Sequence, residues 1–333
     1  MKKLMAIGPA KTHLVEVEEP VITEKNQVKI KMSYCGVCMS EHYAWSTATE
    51  GQSFGHEPMG VVVEVGEDVK SVKVGDRVSG LFWGNAEYVV AEERAVFKLP
   101  DCISDTEGIL EPLACLISAV SKVRINFMGE KVAVVGCGYM GCGAISLLKL
   151  RGAYVVAVDI NPESVKNALK YGADEAYLVD ELPKQYFYIP GTDINFNGEP
   201  GGFGMVMEWG ETNESLDLAI RMTRQNGQLA IGAYHTGGKR LVDVQMLNVK
   251  SVDCLSVHPR DPYLSTYLST EGCKSAIKMM ADGTWNYKNV TTKVYPVSMF
   301  DKAHEELPEK FGKYLKAVVD FAHGEFEPYI IEK

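Results

Sequence analysis

The chain has 333 residues, 46% hydrophobic and 23% charged, the balance of a globular protein with length for two domains. Asp plus Glu number 44 against 34 Lys plus Arg, a net charge of −10, which argues against nucleic acid or an anionic membrane surface as the partner. The longest charge-free stretch, Val132 to Leu148, is shorter than the roughly 20 residues of a bilayer span and is rich in glycine. The apolar run after Met1-Lys2-Lys3 stops at Pro9 and Lys11, too early for a secretion signal. The chain therefore reads as cytoplasmic, and its eight cysteines as reduced thiols or metal ligands.

The first 100 residues read as β-rich. Val28–Met32, Val61–Val65 and Ala86–Val90 are short strands, punctuated by Gly66, Gly75, Asp76, Gly80 and Gly84, the pattern of a compact barrel or sandwich. Thr106–Lys122 carries helical apolar spacing. Strand and helix then alternate: strands Val132–Val135, Tyr154–Val158, Met205–Glu208 and Gln228–Gly232, with helices Gly141–Arg151, Glu163–Tyr171 and Ser215–Arg224 between them. This βαβ order predicts a parallel sheet covered by helices. Beyond residue 262 come a helix at Gly272–Ala281, a strand at Thr291–Tyr295, a helix at Ser298–Glu306 and a strand at Ala317–Phe321. That tail is too small for its own core and is expected to pack onto the first 100 residues.

Val132–Val135 runs into Gly136-Cys137-Gly138-Tyr139-Met140-Gly141, and the next strand ends in Asp159, 18 residues beyond Gly141. Gly136 permits a tight turn, Gly138 lets backbone approach a pyrophosphate, and Gly141 lets helix and strand pack closely. The pyrophosphate then sits on a helix N-terminus and Asp159 accepts from ribose hydroxyls. The carboxylate repels a 2′-phosphate, and Ile160-Asn161 supply no arginine to bind one, so NAD is expected over NADP. A plain glycine turn, with Asp159 as a helix cap, is the alternative.

Cys35-Gly36-Val37-Cys38-Met39-Ser40-Glu41-His42 precedes Gly55-His56-Glu57-Pro58, and Glu111-Pro112 opens a later helix. Cys38, His56 and Glu57 supply sulfur, nitrogen and oxygen, a mixed set that suits zinc. Each residue also has an ordinary reading: core thiols or a redox pair at Cys35 and Cys38, a core histidine, a helix-terminal acid.

Taken with the glycine loop, these segments resemble the medium-chain, zinc-dependent alcohol and polyol dehydrogenases. The resemblance rests on Gly36–Glu41, Gly55–Gly66, Val74–Val78 and Glu111-Pro112-Leu113. It is nearest to the sorbitol and threonine dehydrogenases, because Glu stands at position 111 where the classical alcohol enzymes carry cysteine. It implies an α/β protein: a Rossmann doubly wound parallel sheet, residues 119–261, plus a β-rich GroES-like catalytic domain built from residues 1–118 and 262–333. Carried over, Cys38, His56 and Glu111 are zinc ligands, with Glu57 binding the metal directly or alternating with water. Ser40 passes the substrate proton outward, and Glu41 orients a ligand. Arg260 reaches the metal site or forms a surface ion pair. Gly136, Gly138, Tyr139, Met140, Gly141 and Asp159 form the cofactor site.

Two features depart from the family. His42 lies four residues after the zinc cysteine, where a relay histidine is expected five residues on and Tyr43 stands instead. Only Ser79 to Asn85 separates the Gly75-Asp76-Arg77-Val78 turn from Ala86-Glu87-Tyr88, without a cysteine. The lobe that holds a structural zinc is therefore expected to be missing, leaving one catalytic ion per chain. Trp45, Phe82 and Trp83 are candidates to line a substrate pocket or to be core. The run Ser251–Val257 is expected to pair with a second copy, giving a homodimer or homotetramer. The expected reaction is zinc- and NAD-dependent oxidation of a secondary alcohol, a polyol or sugar derivative, to a ketone. A metal-independent enal or quinone reductase, or a non-enzymatic nucleotide-binding protein, are the alternatives on the same fold, and the Cys38, His56, Glu57 and Glu111 set argues against both.

Overall fold

A computed structural model describes residues 1–188, 201–258, 270–310 and 312–331. The chain forms two compact units, one of residues 1–115 and 260–333, the other of residues 116–259.

The first unit opens with β1 (Lys2–Gly8) and β2 (Lys11–Glu16), an antiparallel hairpin that turns at Ala10, whose φ is +55°. Then follow β3 (Gln27–Val37), α1 (Met39–Ser46), β4 (Pro58–Val65), β5 (Arg77–Gly80), β6 (Tyr88–Glu92), β7 (Val96–Lys98) and α2 (Leu110–Lys122), within which the division between the units falls. The second unit holds β8 (Lys131–Val135), α3 (Tyr139–Leu150), β9 (Tyr154–Asp159), α4 (Pro162–Lys170), β10 (Glu175–Leu178), β11 (Phe203–Glu208), α5 (Asn213–Met222), β12 (Thr223–Ile231), α6 (Val244–Val249) and β13 (Asp253–Ser256). The chain then returns to the first unit with α7 (Thr270–Ala281), β14 (Thr292–Pro296), α8 (Phe300–Glu306), β15 (Lys316–Asp320) and β16 (Tyr329–Ile331).

In the second unit the sheet order is β10-β9-β8-β11-β12-β13, with every pairing parallel. Its strands are near-continuous apolar runs because both faces are covered: Val132, Ala133, Val134, Val155, Val156 and Val158 are fully buried. In the first unit an eight-stranded mixed sheet runs β16-β14-β15-β3-β4-β5-β7, and β6 pairs with β3 as well. β3 is its hub, bonded antiparallel to β4, β6 and β15. Through β14 and β15 the late segment of the chain completes a sheet begun by the first hundred residues. Among the described residues no helix is long and apolar enough to cross a membrane.

Trp45 and Phe82 are core residues. Trp45 packs with Phe54, Tyr295, Phe300 and Leu307 around α1 and α8. Phe82 packs with Val28, Ile30, Val62 and Val78. His304 of α8 lies in the first of these clusters with no solvent contact. Its ring stacks on Trp45 at 5.2 Å and meets Phe300 edge-on at 4.6 Å, and neither ring nitrogen has a hydrogen-bond partner. Burial in this apolar setting, with His42 close by, pushes its pKa down to about 3. The unfolded chain binds that proton near pH 6.5 and the folded chain does not. Stability conferred by neutral His304 is thus full above pH 6.5 and falls as pH drops toward 3. We expect wild type to lose about 2 kcal/mol more than His304→Leu between pH 7 and pH 5. Urea unfolding read by tryptophan fluorescence measures this, and parallel pH profiles would refute it.

Candidate metal centre and nucleotide loop

The register of β3 against β4 pairs Cys35 with Pro58. Cys38, just past the end of β3, and His56-Glu57, just before β4, are thereby brought to one end of the strand pair. The Sγ of Cys38, a ring nitrogen of His56 and a carboxylate oxygen of Glu57 all lie within 4.8 Å of one another. The Gly36 amide donates to the Glu57 carbonyl at 2.8 Å. A Cβ on Gly36 would stand 1.7 Å from the Glu57 carboxylate, so only glycine leaves room for that side chain.

Each donor is oriented by a neighbour. The Nδ1–H of His56 donates to Glu41 Oε1 at 2.9 Å, and the Gly55 amide donates to the same oxygen at 2.8 Å. This directs Nδ1 to Glu41 and turns Nε2 toward Cys38, the side on which a metal would bind. Burial opposes a charged His56, but hydrogen bonds to Cys38 and Glu41 hold its proton far above the usual histidine range. The Ser40 hydroxyl donates to Cys38 Sγ at 3.2 Å. Glu57 is 1% exposed, and its Oε2 is ion-paired with the buried ammonium of Lys316, the first residue of β15. Burial opposes that ammonium, and the charges of Glu57, Cys38 and Glu111 outweigh it. Lys316 reaches Glu57 because Ala317 pairs with Val37 of β3.

Glu111 stands outside the 4.8 Å group, yet it is buried beside it. Burial pushes its carboxyl up to about 7, with His56 opposing and Glu57 adding to the rise. Its Oε1 accepts from Cys115 at 3.2 Å. His42 turns to Trp45 and His304, at ring distances of 5.3 and 6.0 Å, and is not among the clustered donors. Cys35 is fully buried with its thiol held protonated by burial, and all eight cysteines are free, so Cys35 and Cys38 form no disulfide. Trp83 is 64% exposed and meets the His56 ring edge-on at 6.3 Å. Arg260 lies outside the described residues. Among the described residues no second cluster of metal-binding side chains occurs.

In the second unit Gly136 ends β8 with φ +90°, and Gly138 caps α3, whose first residues are Tyr139 and Met140. A Cβ on Gly141 would lie 1.9 Å from the Gly136 carbonyl, whereas one on Gly138 would meet nothing within 4 Å. The loop is thus packed behind and open in front, a cradle that fits a pyrophosphate at a helix N-terminus. Asp159 Oδ2 accepts from the Cys137 amide at 2.7 Å and Oδ1 from the Asn161 amide at 2.9 Å. Glu208, with no solvent contact, was legible only as the end of a strand. Its Oε1 accepts from the amides of Gly210 and Glu211 and from the Ser215 hydroxyl, and its Oε2 meets His235 Nε2 at 2.8 Å. The turn it holds packs against Gly136, whose Cβ would lie 2.8 Å from the Gly210 nitrogen.

Residues 24–101 match the alcohol dehydrogenase GroES-like domain family, and residues 140–270 the zinc-binding dehydrogenase family. The chain is 35% identical over 200 residues to (R,R)-butanediol dehydrogenase of Bacillus subtilis, an alignment covering 47% of this chain and 57% of that protein. It is 26% identical to sorbitol dehydrogenase of Halalkalibacterium halodurans over 96% of this chain and 99% of the relative. The crystal structure of the B. subtilis 2R,3R-butanediol dehydrogenase superposes with a TM-score of 0.74 at 25% identity, covering 96% of this chain and 99% of that one. With the donor cluster and glycine cradle already described, the chain belongs to the medium-chain zinc-type alcohol and polyol dehydrogenases. It is an oxidoreductase acting on CH–OH groups.

The Glu57–Lys316 pair carries a direct energetic expectation. Removing one partner of a buried ion pair leaves the other uncompensated. In metal-free protein, Lys316→Met should cost about 3–5 kcal/mol of stability, and adding Glu57→Gln should restore part of it. Urea titration of the two variants measures this, and a cost below about 1 kcal/mol would place the pair in solvent.

Proposed function

We propose that the chain oxidises a secondary alcohol of polyol or sugar-derived type to a ketone, reversibly, with one zinc ion and NAD. The observation that carries this reading is the meeting of Cys38, His56 and Glu57 donors within 4.8 Å. Sulfur, nitrogen and carboxylate oxygen together suit zinc and few other common metals. The polyol class is supported by Glu111 and by relatives named sorbitol dehydrogenase and D-arabitol-phosphate dehydrogenase.

When bound, zinc supplies Lewis-acid polarisation of the reacting oxygen and the nicotinamide ring takes or gives the hydride. Cys38, His56 and Glu57 would hold the metal, with Glu111, buried beside them, as the further ligand. Glu41 keeps the Nδ1 proton and so presents Nε2. The Ser40 hydroxyl, anchored on Cys38 Sγ, carries the substrate proton outward. Plasma emission spectroscopy of purified protein should return one zinc per chain, and His56→Ala should abolish both zinc and polyol oxidation. Ser40→Ala should keep the zinc and lower turnover by about 10²-fold. Full activity after zinc removal would refute the reading and favour a metal-independent reductase.

Asp159 is read as the partner of the ribose 2′-hydroxyl. Burial raises its pKa, and hydrogen bonds from the Cys137, Asn161 and Ile160 amides oppose that rise. A 2′-phosphate would bring a second negative charge against it, so NAD should bind roughly tenfold or more tightly than NADP. Fluorescence titration with both reduced cofactors tests this, and equal affinities would exclude it.

The edge strand β13 exposes Asp253, Cys254 and Ser256. We read it as pairing with a second copy across a two-fold axis, since an unpaired edge invites association. Light scattering at micromolar concentration should give a dimer or tetramer mass, and a monomer mass would rule the pairing out.

A further inference from the structure

We propose that Cys115 is a positioning residue for Glu111: its thiol holds one carboxylate oxygen and leaves the other to the metal. The inference rests on the zinc reading above. α2 places Glu111 and Cys115 four residues apart, one above the other on the same helix face. The thiol donates to Glu111 Oε1 at 3.2 Å. Glu111 is 7% exposed, so water is a poor source of donors for its oxygens, and a buried carboxylate left without donors is costly.

The backbone beneath Glu111 is fixed as well. The Leu110 amide donates to Ser79 Oγ at 2.9 Å, and that hydroxyl donates to the Pro58 carbonyl at 2.7 Å. Ser79 is fully buried. It joins the residue before Glu111 to the residue after Glu57, so both carboxylates stand on one tied framework. On the next turn a Cβ on Gly272 of α7 would lie 3.1 Å from Ala114, which keeps α2 from shifting outward. Ser79 thus sets where the Glu111 side chain starts, and Cys115 sets where it ends.

The same arrangement recurs at Glu57, where Lys316 occupies Oε2. Two carboxylates that could each bind a cation through two oxygens are each left with one. One sulfur, one imidazole nitrogen and two single carboxylate oxygens make four donors, the number zinc takes. With both oxygens free, Glu111 would suit the higher coordination numbers of calcium. Cys115 therefore contributes to metal choice without touching the metal.

The test compares Cys115→Val, which keeps the volume and loses the donor, with Cys115→Ser, which keeps a donor. Zinc affinity is read on stripped full-length protein by competition with a chromophoric chelator. Cys115→Val should weaken zinc binding by roughly 10- to 100-fold, and Cys115→Ser should stay within about threefold of wild type. NAD affinity should be unchanged in both; the urea midpoint of the metal-free protein should stay at the wild-type value in Cys115→Ser and fall in Cys115→Val, where Glu111 loses its donor. After loading with cobalt(II), the sulfur-to-cobalt charge-transfer band should keep its intensity in both variants, because only Cys38 supplies sulfur. A Cys115→Val protein that binds zinc as wild type does would overturn the proposal. So would a serine variant as weak as the valine one, or a cobalt band reduced by half, which would make Cys115 a ligand. Should Cys115→Val fail to fold, Cys115→Ala takes its place in the same comparison. Wild type that takes up no zinc would instead overturn the zinc reading itself.

Discussion

The donor cluster depends on how two strands clasp β3. β4 from one side delivers His56 and Glu57, and β15 from the other delivers Lys316. The contact between Glu57 and Lys316 is a full ion pair shut away from water, and such a pair contributes little net stability compared with apolar residues of the same size. Its weight lies in specification. Any slip of β15 along β3 would strand a buried carboxylate and a buried ammonium, and a one-residue slip would also turn the alternate face of the strand inward. Gly36, whose missing side chain admits the Glu57 carboxylate, penalises the same slip sterically.

Buried carboxylates act as organisers in both units. Glu41 gathers the Gly55 amide and the His56 ring. Glu208 gathers two amides, a hydroxyl and an imidazole, and Asp159 gathers two amides of the glycine loop and its flank. Charge-assisted bonds of this kind are about twice as strong as neutral ones. They fix loops that carry no regular hydrogen-bond ladder of their own. Loops ordered in this way keep their geometry before any ligand arrives, so less binding energy is lost to ordering them.

What could be read from the sequence follows the range of the signal. The strand, glycine loop, helix and aspartate of the second unit lie within 30 residues, and their periods and turn residues are local. Cys38, His56, Glu57 and Glu111 were readable because each sits in a short run of characteristic residues. The hairpin of β1 and β2 escaped because its strands mix lysines with apolar residues at half-buried positions, so alternation is blurred. Lys316, Ser79 and Cys115 escaped for another reason. Each acts on a partner supplied by a different element or turn, and a lysine opening a strand, a serine inside one and a cysteine in an apolar helix carry no pattern by themselves. For Trp45 the sequence leaves pocket lining and core both open, and the stacking of His304 on it from α8, 259 positions along the chain, is a long-range contact that decides for core.

The interrupted layout of the first unit has a consequence for the order of folding. Lys316 follows Glu57 by 259 positions, and the whole second unit is made between them. During synthesis at about 5–20 residues per second, domains fold as units and earlier segments wait. The second unit, with its short-range βαβ contacts, can close while β15 is still unmade. Until then the end of β3 from Tyr34 to Val37 lacks its β15 partner, and Glu57 has a charge but no counter-charge. A divalent cation reaching the nascent chain would find the cysteine, imidazole and carboxylate donors without the lysine that competes for one of their oxygens. Arrival of the late strand thus narrows that carboxylate from two open oxygens to one. Until the lysine is delivered, both oxygens of that carboxylate stay open to any cation present.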